Sequence, residues 1–256
     1  MILVHGHRGA RAVYPENTLA AFLYAIESGA DALELDVLVT RDDTLVVVHD
    51  PHINPQICQG PRPGAAIREL TLAELRAYDC GSLRNPAFPS QQTIPGTRIP
   101  TLDEVLSLSS RGDFQFDMEA KSFPDRPELT PDPVAFARML HAAIERHGLE
   151  KRVVAQSFDF RVLHAMKRIA PEIRLAALWV GESRPFVEIA AAAGADIVSP
   201  QHTLVTAEQV NQAHAANLEV IPWTANTPED WHRLIAVSVD GIITDDPAAL
   251  LAYLRG

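Results

Sequence analysis

Residues 32–39 read "ALELDVLV", in which Leu33, Leu35 and Val37 alternate with Glu34 and Asp36. Side chains alternate across a strand, so the aliphatic residues share one face and the two carboxylates share the other. The aliphatic face suits a layer of helices. The carboxylates then point into the sheet's enclosed side, where an unpaired charge is costly or takes up a proton. Something cationic has to sit beside them, and a strand with helices outside and charges inside is what a barrel with an internal site would need.

The surroundings agree with that reading. Further strand candidates are "ILVHGH" (2–7), "TLVVVHD" (44–50), "FQFDMEAK" (114–121), "RVVAQSF" (152–158), "IRLAALWV" (173–180), "ADIVSP" (195–200), "LEVIPWT" (218–224) and "GIITDD" (241–246). Helical segments alternate with them: Asn17–Ser28, Asp132–His147, Phe160–Ile169, Arg184–Ala193, Ala207–Ala216, Glu229–Ala236 and Pro247–Leu254, several opened by Asn, Asp, Thr or Pro. Strand and helix in alternation mean a parallel sheet. No G-x-G-x-x-G follows the first strand, so a (β/α)8 TIM barrel fits better than an open dinucleotide-binding sheet. At 256 residues the chain is expected to form a single domain.

One region breaks the rhythm. Residues 51–100 hold 8 of the 19 prolines, and only "TLAELRAYD" looks helical there. We read it as an insertion after the second strand region, leaving the catalytic face of the barrel as a candidate substrate lid. The helix Leu102–Ser109, capped by Thr101, then resumes the barrel.

Charge and composition exclude several functions. The net charge of -11 disfavours nucleic acid and anionic membranes as partners. No stretch has the form of a signal peptide and no run reaches membrane-spanning length, so a cytoplasmic protein without stable membrane insertion is expected. Cys58 and Cys80 form no C-x-x-C pair and read as reduced thiols, a bridge between them being the minor alternative.

The strand 114–121 repeats the inversion, placing Gln115, Asp117, Glu119 and Lys121 opposite Phe114, Phe116, Met118 and Ala120. Glu34, Asp36 and Glu119 together would make an all-oxygen site for a hard divalent cation, Mg²⁺ or Ca²⁺. The alternative is an ion-pair network with Arg8 and Lys121. His7 and His49 both end strands, and two histidines facing such a cluster suit a general acid and base. His5, one layer deeper, reads as a hydrogen-bonded core residue. Arg8 can hold two phosphate oxygens, and Arg8 and Lys121 can also neutralise the carboxylates. Asn17 reads as a helix cap, with Glu16 a first-turn acid or a site residue. Phe158, sharing a face with Gln156, and Trp223 at a strand end can reach a pocket. Asp240 and Asp245 read as turn and cap residues.

In order along the chain, "GHRGARAVYPENTLAAF", "ALELDVLVTRDDTLVVVHD", "IRELTLAELRAYDCGS", "IPTLDEVL", "DMEAKS", "QSFD", "IPWTAN" and "VDGIITDDP" resemble the blocks of the glycerophosphodiester phosphodiesterase family, within the phosphatidylinositol phospholipase C-like superfamily. The resemblance spans nearly the whole chain. It implies a TIM barrel with an inserted segment, His7 and His49 as acid/base pair, and Glu34, Asp36 and Glu119 as ligands of one divalent cation. Arg8 and Lys121 would contact phosphate, and Phe158 and Trp223 would line the pocket. The implied reaction converts small glycerophosphodiesters to sn-glycerol 3-phosphate and an alcohol through a cyclic phosphate. Alternatives on the same barrel are a lysophospholipase D-like or phospholipase C-like activity, or a non-catalytic binding barrel. The sequence departs from the family after Asp50, where "PHINPQICQGPRPG" puts headgroup preference in doubt and directs attention to His52, Asn54 and Gln56.

Overall fold

A computed structural model describes residues 2–256. Its strands are β1 (Leu3–Gly6), β2 (Ala32–Val39), β3 (Leu45–Val47), β4 (Gln115–Ala120), β5 (Val153–Ser157), β6 (Arg174–Trp179), β7 (Ile197–Pro200), β8 (Glu219–Val220) and β9 (Gly241–Thr244). Eight of them run parallel in the order β1, β2, β4, β5, β6, β7, β8, with β9 on the other side of β1. Backbone bonds from Ala225 N to Ile243 O (3.1 Å) and from Ile243 N to Pro222 O (3.0 Å) join the β8 segment to β9 and close the TIM barrel.

The helices α1 (Leu19–Ser28), α2 (Leu72–Leu75), α3 (Leu102–Leu106), α4 (Pro133–His147), α5 (Phe160–Ile169), α6 (Phe186–Ala193), α7 (Ala207–Ala215), α8 (Pro228–Ala236) and α9 (Pro247–Leu254) alternate with the strands, apart from α2. Side-chain caps start most of them: Thr18, Thr101, Asp132, Asp159, Thr206, Thr227 and Asp246 each accept from a backbone N–H two or three residues on. No described helix is long and apolar enough to cross a membrane.

Leu33, Leu35, Val37, Phe116 and Met118 face this helix layer and are fully buried in it, as the inverted strand pattern predicts. The inside of the barrel is divided. From β5 to β9 it holds Val154, Ala176, Ile197, Ile221 and Ile243. From β1, β2 and β4 come the buried His5, Glu34, Asp36, Asp117 and Glu119. His5 Nδ1 lies 3.2 Å from Asp117 Oδ2 in the deeper layer, the core role expected of it.

Three sequence expectations need correction. The run 44–50 is no barrel strand: β3 pairs antiparallel with β2, Val37 opposite Val47. Only residues 40–44 separate the two, a hairpin length and far too short for a parallel crossover; Asp43 takes the left-handed turn conformation (φ 56°). The cap of α1 is Thr18 rather than Asn17, which itself has φ 56° and turns its side chain to Asp36. Cys58 and Cys80 are joined by a disulfide instead of standing as free thiols. Gln59 and Asp79 exchange both backbone hydrogen bonds at 2.9 Å, so residues 58 and 80 form the next, closely spaced antiparallel pair, with Cα atoms 4.0 Å apart. No side-chain pattern announces a two-residue bridge of that kind. Around the disulfide, Ile53, Ile67, Leu70, Leu75, Tyr78 and Ile99 of the inserted segment form a second apolar cluster with Leu38 of β2 and Val46 of β3.

Candidate active site

At the end of β1 the chain turns sharply. Gly9 has φ 84°, and a Cβ there would stand 2.6 Å from the Ala21 carbonyl carbon, so only glycine lets α1 approach the strand end. Arg8 itself is left-handed (φ 51°), and its backbone N–H donates to Glu34 Oε2 at 2.9 Å. This conformation is costly away from glycine and tends to gather at functional sites.

His7 Nδ1 donates to Asp245 Oδ1 at 2.5 Å, which leaves Nε2 directed toward Glu34 Oε2, 3.9 Å away. Asp245 is in turn clasped by Asn226, whose Nδ2 donates to Oδ2 (2.8 Å) and whose Oδ1 accepts from the Asp245 backbone (2.9 Å). Burial, then the neighbouring Arg8, lower the His7 pKa against the pull of Asp245. The ring is therefore biased to neutral imidazole. His49 has a similar arrangement on the β3 side, with Nδ1 donating to Asp50 Oδ1 at 2.7 Å, and Asp50 also accepts from Asn54 Nδ2 at 2.9 Å.

Glu34, Asp36 and Glu119 meet between the histidines, with one oxygen from each within 4.8 Å of the others. Register explains the meeting: β2 and β4 are adjacent and Asp36 lies opposite Glu119. Burial, and then the charges of Asp36 and Glu119, push the Glu34 carboxyl well above the usual range. Burial raises Glu119 as well. Asp36 goes the other way: burial opposes its ionisation, but His49, Arg8, Lys121 and Asn17 hold it below the usual carboxylate range. Gln156 Nε2 donates to Glu34 Oε1 at 3.2 Å, while its buried Oε1 has no partner. An all-oxygen cluster short of positive charge, with an orphaned carbonyl oxygen beside it, fits a hard divalent cation.

Arg8 and Lys121 stand where the sequence places them. Arg8 Nη1 bonds Glu16 Oε1 (2.6 Å) and its Nε lies 3.2 Å from Asp36; Lys121 Nζ is 2.9 Å from Glu119 and 3.6 Å from Asp36. Both histidines and these cations open on one cavity of about 310 Å³, faced from the other side by Phe158, Leu178, Trp223 and Ile243. Phe158 and Trp223 meet edge to face at 5.6 Å, and Trp223 Nε1 is held by Ser199 O at 2.8 Å. His7, Arg8, Glu34, His49, Glu119, Lys121, Phe158 and Trp223 thus line this cavity and Asp36 lies against Arg8 beside it, whereas Glu16, His52 and Asn54 line a second pocket next to His49 and Gln56 lines neither.

Sequence reasoning gave Asp245 the wrong job. The cap of α9 is Asp246, which leaves Asp245 free to hold His7. The signal was present in "TDD": a helix start needs one aspartate, and two follow the strand. Asp50 and Arg11 were missed outright; Asp50 is visible only as the residue after His49, and nothing local distinguishes Arg11.

A profile of the glycerophosphoryl diester phosphodiesterase family matches residues 7–249. The glycerophosphodiester phosphodiesterase of Caldanaerobacter subterraneus subsp. tengcongensis is 34% identical over 99% of this chain and 98% of its own. A solved structure from Silicibacter pomeroyi superposes with a TM-score of 0.92 at 33% identity, over 100% of this chain and 93% of that one. An Oleispira antarctica phosphodiesterase, solved in complex with its product sn-glycerol-3-phosphate, shares the fold at a TM-score of 0.85 and 22% identity, covering 99% and 97%. Barrel, carboxylate cluster and near-complete alignment concur: the chain belongs to the glycerophosphoryl diester phosphodiesterase family.

Proposed function

We propose that this protein hydrolyses small glycerophosphodiesters to sn-glycerol 3-phosphate and an alcohol, with His7 and His49 as base and acid. The observation that carries this reading is the pairing of two carboxylate-backed histidines across three clustered carboxylates in one cavity of small-molecule size.

His7 Nε2, freed by the Nδ1 bond to Asp245, takes the proton of the glycerol hydroxyl next to the phosphodiester. That oxygen attacks phosphorus, the bond to the alcohol oxygen breaks, and His49 delivers a proton to the leaving oxygen. Water then opens the cyclic phosphate with the two roles reversed. Attack from within the substrate needs no second molecule to be captured, a large entropic advantage. Arg8 and Lys121 contact the phosphate oxygens, while Phe158 and Trp223 pack on the carbon skeleton. Glu34, Asp36 and Glu119 would hold one divalent cation, Mg²⁺ or Ca²⁺, which when bound supplies charge neutralisation for the phosphate.

The test is a panel of glycerophosphocholine, glycerophosphoethanolamine, glycerophosphoglycerol and lysophosphatidylcholine, with and without chelator and metal add-back. Chelator-sensitive release of glycerol phosphate is expected. Release of lysophosphatidic acid and choline from lysophosphatidylcholine, with no turnover of the other three, would favour the lysophospholipase D-like alternative, and no turnover by folded protein would reject catalysis.

A further inference from the structure

We propose that Arg11, which neither the family resemblance nor the sequence pattern singles out, is a third cation of the substrate site and binds an anionic oxygen of the phosphodiester. The inference rests on the function proposed above and assigns it a further binding residue. Arg11 lines the same cavity as His7, Arg8, His49 and Lys121.

An anionic diester entering this cavity meets many carboxylates, so the available positive charge decides whether it stays. Arg8 and Lys121 are already committed to acids at 2.6 and 2.9 Å. Arg11 is not. Its Nε lies 3.3 Å from Glu16 Oε2 and 3.8 Å from Asp245 Oδ1, and its side chain makes no hydrogen bond to another described residue, although Nε is buried. Neither acid needs it: Glu16 is satisfied by Arg8 on Oε1 and Asn85 on Oε2, and Asp245 by His7 and Asn226. With Nε buried, the two Nη nitrogens, which have no hydrogen-bond partner among the described residues whereas Arg8 Nη1 is bonded to Glu16, are the fork that meets a phosphate oxygen.

Arg11 is also held in readiness. Its carbonyl accepts from Gln91 Nε2 at 2.6 Å, and its guanidinium lies over the Phe88 ring at 4.8 Å, both residues belonging to the inserted segment. The stacking leaves the planar fork ordered before substrate arrives, which lowers the entropy lost on binding. It also lies clear of the three clustered carboxylates, its two acidic neighbours being Glu16 and Asp245, so its charge remains usable whatever occupies the cluster.

The test compares wild type, Arg11→Gln and Arg11→Lys in the metal-supplemented protein. KM is measured for a glycerophosphodiester that wild type turns over, and Kd for sn-glycerol 3-phosphate by calorimetry. Loss of one charge-assisted contact predicts that Arg11→Gln raises KM and Kd together by about 10–100-fold, with kcat changed less than about threefold. Arg11→Lys, which keeps charge without the fork, falls between and serves if the glutamine variant does not fold. Unchanged Kd in a folded variant overturns the proposal. A fall in kcat with unmoved KM and a displaced pH profile also overturns it, since Arg11 would then act through Asp245. Wild type that neither turns over a diester nor binds glycerol phosphate removes the function reading as well, a failure recognisable without any variant.

Discussion

Asp245→Asn is the substitution whose consequence the geometry defines most closely. The carboxylate accepts from His7 Nδ1 at 2.5 Å, with side-chain exposure of only 8% and 11%, so solvent screens the contact little. A charge-assisted bond of this kind is worth about 1.5–3 kcal/mol. The tautomer adds to that loss. Asn226 presents Nδ2 to Asp245 Oδ2 and spends its Oδ1 on the Asp245 backbone and Thr244 Oγ1. An asparagine at 245 must therefore keep its oxygen toward Asn226 and turn its NH₂ toward His7. His7 then accepts at Nδ1, carries its proton on Nε2, and cannot act as a base toward the cavity. A loss of about 3 kcal/mol corresponds to about 10² in kcat. The sign of the pH effect is also fixed. Burial and Arg8 already lower the His7 pKa while Asp245 raises it, so the variant lowers it further, and the acidic limb of kcat/KM moves to lower pH. Steady-state kinetics from pH 5 to 9 on a soluble glycerophosphodiester would measure both (range of about four units). A kcat within about threefold of wild type, or an acidic limb that moves up, refutes the assigned role of His7 Nε2.

Glu119→Gln should abolish divalent-cation binding seen by calorimetry, because it removes one of three clustered carboxylates and leaves Lys121 to pair with Asp36 alone, in competition with the ion; retained affinity would move the ion elsewhere. Asp79 accepts from the backbones of Gly81, Ser82 and Gly96 and from Ser82 Oγ, and these bonds hold its pKa down to about 2 against burial. A depressed carboxylate stabilises above its unfolded value of about 4 and loses that contribution as pH falls toward the folded value. The stability gap between wild type and Asp79→Asn in urea should be open at neutral pH and closed near pH 2; a gap that widens on acidification contradicts this. The purified protein should show no free thiol until reduced, then two. Cys58→Ser/Cys80→Ser should be less stable by about 3 kcal/mol, from the loop of 22 residues that the bridge closes.

Much of this was legible because the barrel's chemistry interrupts its own hydrophobic code. Glu34, Asp36 and Glu119 sit on the wrong faces of otherwise apolar strands, and strand pairing makes them neighbours without any further information. His7 and His49 were visible as strand-end polar residues, although His49 follows a hairpin strand and not a barrel strand. What stayed hidden depends on contacts between distant segments. Asp245 meets His7 across 238 positions, and Cys58 meets Cys80 through one irregular backbone pairing inside a proline-rich stretch. Neither has periodicity, and each looks locally like a residue with an ordinary duty.

The inserted segment joins these observations. Expected as a cover over the mouth, it is bonded to the β1–α1 loop at several points: Asn85 to Glu16, Gln91 to the carbonyls of Arg11 and Tyr14, and the Gln92 backbone to Val13. Glu16 is the acid that holds Arg8, and Arg8 donates its backbone N–H to Glu34. The chain of contacts therefore runs from the insertion to the carboxylate cluster through a loop whose two left-handed residues other than glycine, Arg8 and Asn17, would relax if released. An insertion tied down in this way contributes by holding strained site residues in place, and its disulfide secures the half of the segment beside His49 while the half from 85 to 92 secures Arg8. Both sides of the cavity are thus tied to a segment that supplies neither of its histidines nor any of its clustered carboxylates.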